Sequence, residues 1–290
     1  MDNAPAPDPT SPLPGPPPTP LPRGLKGVAV ADTAIGSVRG SEGFFHYRPY
    51  DATEVARYRS FEDAWALLID GELPLDDRFA KDVAGRRDLP AGLVPAPDAS
   101  ALRGLQRGLL ALADREGFAP TLDIDHETRR DQALRVAAVT PTLLAAAARG
   151  DALPAVREDL AHAAHWLWLL TGVEPGEDQA RAVQTYLTVT IDHGFNNSTF
   201  TARSITSTGA DVVAAVVGAI GSMSGPLHGG APSRALDMIN DIGDPDHVEA
   251  WLAPRLEAGD KVMGFGHAVY RADDPRSTLL RQTALDLGGE

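Results

Sequence analysis

From Phe61 onward the chain is written in a single rhythm, and that rhythm limits its fold more than any other feature. FEDAWALLIDGELP (61–74) spaces its apolar residues at helical intervals and stops at Gly71 and Pro74. ASALRGLQRGLLALADREG, RDQALRVAAVTPTLLAAAARGD, REDLAHAAHWLWLLTG and DQARAVQTYLTVTIDHGF follow in the same style, each bounded by Gly, Pro or Asp. After residue 60 only Lys261–Met263 reads as a short extended piece. The pattern predicts an all-α, mostly helical fold.

The residues before Phe61 differ. Residues 1–22 hold ten of the 24 prolines, which predicts a disordered or polyproline II tail over 1–23. Such a tail could also dock a proline-reading module. GLKGVAVADTAIGSVRGSEGFFHYRPYDATEVA mixes β-branched residues, turns and aromatics, and reads as short strands or irregular structure leading into a helix. Further on, STGADVVAAVVGAIGSMSG is rich in small residues that let helices approach closely. It reads as a central buried helix or a helix at a subunit interface. No internal repeat is visible, and 290 residues suffice for one large domain or two smaller ones.

Charge and cysteine usage narrow the function. A net charge of −14 argues against nucleic acid or an anionic membrane as partner, because both need a basic footprint. It leaves room for small anions, since a few arginines can focus field inside one cleft. With no cysteine there is no disulfide, thiolate metal site or cysteine nucleophile. The N-terminus lacks the apolar segment of a secretory signal, and the longest apolar stretch, Val212–Ile220, is too short to span a bilayer. A cytoplasmic protein is expected.

Eight histidines are distributed unevenly. His162 and His165 sit on an apolar helix, where packing and one hydrogen bond each account for them. His46 and His247 read as structural or surface residues. His126 lies near Asp123, Asp125 and Glu127, but acids at a helix start explain that cluster better than a metal. His193 (in TIDHGFNNSTFTAR), His228 (in SGPLHGGAPSRA) and His267 (in KVMGFGHAVYRADDPR) are different. Each interrupts a helical pattern in a loop at an element end, where sites gather. With nearby glycines and Arg276 they point to an anion-binding site. GFGHAV lacks the third glycine of a dinucleotide fingerprint, and there is no P-loop, GxSxG or HExxH. Spacing alone leaves a three-histidine metal site open, without support from any i, i+4 pair.

These same residues carry a resemblance. GFGHAVYRADDPR (264–276) resembles the signature of the citrate synthase family, a G-aromatic-G-H core followed by a basic residue and then D-P-R. SGPLHGGA and DHGFNNSTFTAR resemble two further family blocks in the expected order, and GLKGVAVADTAIGSVRGSEGFFHYR resembles the opening of the short bacterial form. The resemblance covers residues 24–290. It implies a homodimer with a large helical domain (24–227), a smaller helical domain (228–290), and a cleft that closes on substrate. The implied reaction condenses acetyl-CoA with oxaloacetate and water to give citrate and CoA, with no metal and no cofactor. Carried onto this chain, His228 would hydrogen-bond the acetyl carbonyl as it becomes an enol. His267 would polarise the ketone, His193 and Arg276 would bind oxaloacetate, and Val262, Met263, Gly264, Phe265 and Gly266 would line the CoA site.

Elementary chemistry agrees with those roles. Removing a proton from the acetyl methyl puts charge on the thioester oxygen, so a donor must already be in place. The positive end of a helix disfavours a cation there, which suits His228 as a neutral donor. Gly229 and Gly230 would let substrate approach without a Cβ clash. A dicarboxylate is matched by a bidentate arginine, and Arg276 can supply one. One role is missing. The family's base is an aspartate well downstream of the G-H-x-V segment, whereas this sequence ends at Glu290, and Asp273, Asp274 and Asp286 do not match it by position. Asp274 is expected to orient the Asp-Pro-Arg turn instead. The expectation is a small domain that is incomplete and a chain that has lost most or all turnover. Two alternatives stand beside this reading: 2-methylcitrate synthase, which uses propionyl-CoA, and a non-catalytic family remnant. One methylene is worth only about 1–3 kcal/mol in a pocket, so no motif separates the two thioesters.

Overall fold

The computed structural model of the chain describes residues 28–93, 100–267 and 269–288. The expected proline-rich tail over 1–23 lies outside them. Two units are distinguished, Met1–Thr33 and Ala34–Glu290. The described part of the first, residues 28–33, has no regular secondary structure. All described helices and strands belong to the second.

That unit begins with an antiparallel sheet in the order β1 (Gly36–Arg39), β2 (Phe44–Tyr47), β3 (Tyr50–Asp51). Alternation along β2 turns Phe45 and Tyr47 inward, and both are fully buried. Twelve helices follow among the described residues. The first seven are α1 (Ala52–Tyr58), α2 (Phe61–Asp70), α3 (Arg78–Ala84), α4 (Ala101–Glu116), α5 (His126–Arg149), α6 (His162–Thr171) and α7 (Glu177–Thr190). Then come α8 (Asn197–Thr206), α9 (Val212–Met223), α10 (Ala231–Ile242), α11 (Val248–Glu257) and α12 (Pro275–Asp286). The expected all-α architecture is what the chain adopts.

Local chemistry sets the helix ends. Ser60 and Asp63 form a reciprocal capping box that starts α2, and Gly71, at φ 92°, ends it. Asp125 caps α5 by accepting from the Thr128 amide, so the acids around His126 serve a helix start. Helix α6 begins five residues later than its sequence pattern suggests. The reason is Arg87, whose buried guanidinium takes the carbonyls of Arg157 (3.0 Å) and Leu160 (2.7 Å). Those carbonyls are then used by a side chain, and the helix starts only after Ala161. Lys261–Met263, expected as extended, forms no strand and enters a turn.

Three apolar clusters hold these elements. The first joins Phe45 and Tyr47 to Val55, Ala64, Leu67, Val189 and Leu279, so α12 closes back onto the N-terminal sheet. The second packs Phe61, Trp65, Phe79 and Val83 on Leu134 and Ala138 of α5. The third joins α4, α5 and α9 through Leu109, Leu112, Val139, Leu143 and Val213. Helix α5 therefore serves two clusters and acts as the spine. Helix α9 is less central than its composition suggests, because only Val213 and Ala215 are buried. Its Gly218 meets α8 so closely that a Cβ there would lie 2.2 Å from Ile205 Cδ1. No residue of α10 or α11 is buried. No helix among the described residues is long and apolar enough to cross a membrane.

Candidate active site

His193, His267 and Arg276 meet. His193 sits in the loop between α7 and α8, where Gly194 (φ 72°) turns the chain, and its ring packs edge-on to Phe45 (5.0 Å) and His267 (5.9 Å). Both His193 nitrogens are buried and have no hydrogen-bond partner among the described residues. Burial, then the charge of Arg276, pushes this imidazole down to about 4, so it is neutral at physiological pH.

His267 has a defined tautomer. Its Nδ1 accepts from the amides of Val269 (3.0 Å) and Tyr270 (3.1 Å), which leaves the proton of the neutral ring on Nε2. That Nε2 lies 3.4 Å from Arg276 Nη2. Guanidinium nitrogens only donate, so two donors face the same space and neither can satisfy the other. Burial and the Arg276 charge both lower the His267 pKa. An oxygen carrying negative charge is the partner this pair lacks.

Arg276 is anchored by Asp274, the N-cap of α12. The carboxylate accepts from Arg276 Nε (3.0 Å), Nη2 (2.6 Å) and the Arg276 amide (3.0 Å). Burial would raise the Asp274 pKa, but the hydrogen bonds and charge of Arg276 outweigh it and hold the carboxyl low. Asp274 thus orients the Asp-Pro-Arg turn as the sequence suggests. One edge of the guanidinium is spent on it, so the outer Nη1/Nη2 edge remains for a ligand.

His228 is held differently. It lies in the turn between α9 and α10, with Nε2 2.8 Å from Ser198 Oγ, and Ser198 donates to Asn196 Oδ1 at 2.8 Å. Asn196 in turn caps α8 through the Thr199 amide. A single segment, 192–198, therefore supplies His193 and also grips His228. Among the described residues no hydrogen bond or ring contact joins His228 directly to the other three.

The glycines beside His228 also answer to the turn itself. A Cβ on Gly229 would lie 2.8 Å from the Met223 carbonyl oxygen, and one on Gly230 2.8 Å from that of Ser224. Backbone packing of the turn is therefore a second reason for glycine at both positions, while Gly229 itself stays exposed. His162 and His165 also differ from expectation. Both are buried, His162 against Phe61 and Trp65, but neither His165 nitrogen has a partner among the described residues.

A cleft of about 930 Å³ opens beside His267 and is lined by Gly264, Phe265, Gly266, Tyr270, Arg271 and Arg281, among others. Gly264 and Gly266 have φ of 87° and 78°, which turn the loop outward and leave Phe265 76% exposed. Val262 and Met263 are half-buried at the start of that loop and do not line the cleft.

Some site features escaped sequence reasoning. Ser198 is an ordinary helix-start serine until the fold brings His228 onto it. The turn after β1 buttresses the His267 segment: Gly40 accepts from the amides of Arg271 (2.8 Å) and Ala272 (3.3 Å), and its α-carbon abuts the Val269 carbonyl. Only the density of glycines in GSVRGSEGF hinted at so close an approach.

On this helical scaffold two loop histidines, His193 and His267, meet a carboxylate-anchored arginine, and His267 lines the cleft. The comparisons identify which family built it. The citrate synthase C-terminal domain model matches residues 24–290. The citrate synthase of Haloferax volcanii is 37% identical over 282 residues, covering 92% of this chain and 74% of its own length. The 2-methylcitrate synthase of Shewanella oneidensis is 33% identical over 282 residues, covering 92% and 73%. Among solved structures, citrate synthase from Thermotoga maritima superposes with a TM-score of 0.80 at 32% identity, covering 91% of this chain and 72% of that one. The ternary complex of Thermoplasma acidophilum citrate synthase with carboxymethyl coenzyme A and oxaloacetate gives a TM-score of 0.82 at 25% identity, covering 92% and 73%. The chain belongs to the citrate synthase family, and its function is of the condensing type.

Proposed function

We propose that this chain binds oxaloacetate at His193, His267 and Arg276 and a short acyl-CoA along Gly264, Phe265 and Gly266, as a citrate synthase. The reading rests chiefly on the facing donors of His267 and Arg276, 3.4 Å apart beside the unpartnered nitrogens of His193. A ketone that gains electron density as its carbon is attacked needs such a donor, which is the role given to His267. Arg276 takes a carboxylate through its outer edge. His228 donates to the thioester oxygen as the enol forms. With Ser198 donating to Asn196, Nε2 of His228 donates to Ser198; the role given to His228 needs the hydroxyl turned to donate to Nε2, which leaves the ring proton on Nδ1. The relative crystallised with carboxymethyl coenzyme A and oxaloacetate supports the same pair of ligand classes.

Two nearby carboxylates are engaged. Asp274 is tied to Arg276, and Asp192 accepts from the Gly194 amide at 3.2 Å. We assign substrate binding to these residues, and Asp273, which lines the cleft, is the carboxylate left without a partner among the described residues. The half-buried face of α9 fits a homodimer, and the family's smaller domain would start at His228, where helices without buried residues begin.

Calorimetric titration with oxaloacetate, together with CoA release from acetyl-CoA and propionyl-CoA read by a thiol reagent, tests this. The chain contributes no thiol background. Oxaloacetate binding with oxaloacetate-dependent release is expected, and the faster thioester identifies the substrate. Release at ordinary enzyme rates would show that a base acts among these residues, whereas binding with no release would favour the non-catalytic alternative. Absence of oxaloacetate binding by folded protein would overturn the assignment.

A further inference from the structure

We propose that Tyr270 is a further oxaloacetate-binding residue, its phenol donating a hydrogen bond to an oxygen of the dicarboxylate held by His193, His267 and Arg276. This rests on the functional reading above. Tyr270 is 5% exposed, and its hydroxyl is buried with no partner among the described residues. A buried tyrosine normally satisfies its hydroxyl, because an unmade hydrogen bond carries the full cost of desolvation. The ring is fixed on every side that bears on the site. It lies 4.8 Å from the His267 ring and 5.5 Å from that of His193, and the Arg276 guanidinium sits 5.9 Å from its centroid. Its backbone amide also fixes the His267 tautomer.

Three buried polar atoms on two touching rings thus lack a partner: the Tyr270 hydroxyl and both His193 nitrogens. They do not bond one another, so the missing partner must come between them or beside them. Tyr270 also lines the cleft, which gives a ligand access to it. Burial first, and the charge of Asp274 second, push the phenol up to about 12. It is therefore a proton-bearing donor across the working pH range, never a phenolate that would repel a dicarboxylate. Removing the hydroxyl deletes a neutral-to-charged hydrogen bond, which corresponds to roughly 10- to 100-fold in affinity.

Oxaloacetate is titrated calorimetrically into the wild-type chain and into Tyr270→Phe, with melting temperatures measured without ligand. The expected result is a Kd raised roughly 10- to 100-fold with an unchanged or higher ligand-free melting temperature. An equal Kd in the two folded proteins would overturn the Tyr270 assignment and leave the functional reading intact. Absence of binding by the wild type would instead overturn the functional reading. Should Tyr270→Phe fail to fold, the tyrosine 13Cζ resonances of the wild type decide: a resonance that shifts with oxaloacetate, assigned to Tyr270, supports the proposal, and a Tyr270 resonance that stays put overturns it.

Discussion

Individual atoms decide what the loop histidines can do. Ser198 is the side chain that contacts the His228 ring nitrogen, and it can rotate between donating to Asn196 and donating to His228. Ser198→Ala should lower stability by about 1 kcal/mol and change the His228 tautomer ratio. Imidazole 15N shifts check this, and unchanged shifts would show that another group sets the tautomer. Gly229 is constrained from the opposite direction, by backbone. An added Cβ would lie 2.5 Å from Met223 Cγ and 2.8 Å from its carbonyl oxygen. Gly229→Ala should cost about 1–3 kcal/mol by urea denaturation, with or without substrate present.

At the scale of elements, the N-terminal hairpin holds the His267 loop. Gly40 is the contact point, because a Cβ there would lie 2.2 Å from the carbonyl oxygen of Val269, and a backbone atom cannot rotate away. Gly40→Ala should cost about 1–3 kcal/mol and also weaken oxaloacetate binding, since His267 and Arg276 are carried by the displaced segment. Loss of stability with an unchanged Kd would show that the hairpin supports the fold without positioning the site. Helix α12 is docked by the same cluster. Leu279→Ala removes its buried anchor and should cost about 2–5 kcal/mol.

The whole molecule carries an acid-sensitive core. Burial and then the charge of Arg87 push His162 down to about 3 and His165 down to about 4, and His193 is near 4 as well. An unfolded chain takes up these protons near the ordinary value of about 6.5. The folded state resists protonation, so this stabilisation is complete above that pH and is lost as pH falls from about 6.5 toward 4. Each histidine contributes a slope of up to about 1.4 kcal/mol per pH unit in that window. Urea midpoints at pH 7.5, 6 and 5 should fall steadily. A flat profile would show that these rings take up protons as readily in the folded protein as in the unfolded chain.

Much of this could be read from the residues in order. Helical periodicity after Phe61 and its Gly and Asp punctuation determined the class of fold, because capping and amphipathic burial are local matters of spacing. The blocks around His193, His228 and His267 determined the family and the candidate site, because such chemistry needs particular residue types in short, ordered stretches. The sequence could not show that Arg87 would delay α6, that the β1–β2 turn would brace the His267 loop, or that Gly229 and Gly230 answer to backbone. Nor could it show that Tyr270 and His193 would be left with unmet hydrogen bonds among the described residues. Those facts arise between residues far apart in the chain. Only tertiary packing decides which buried polar atom finds a partner and which is left for a ligand.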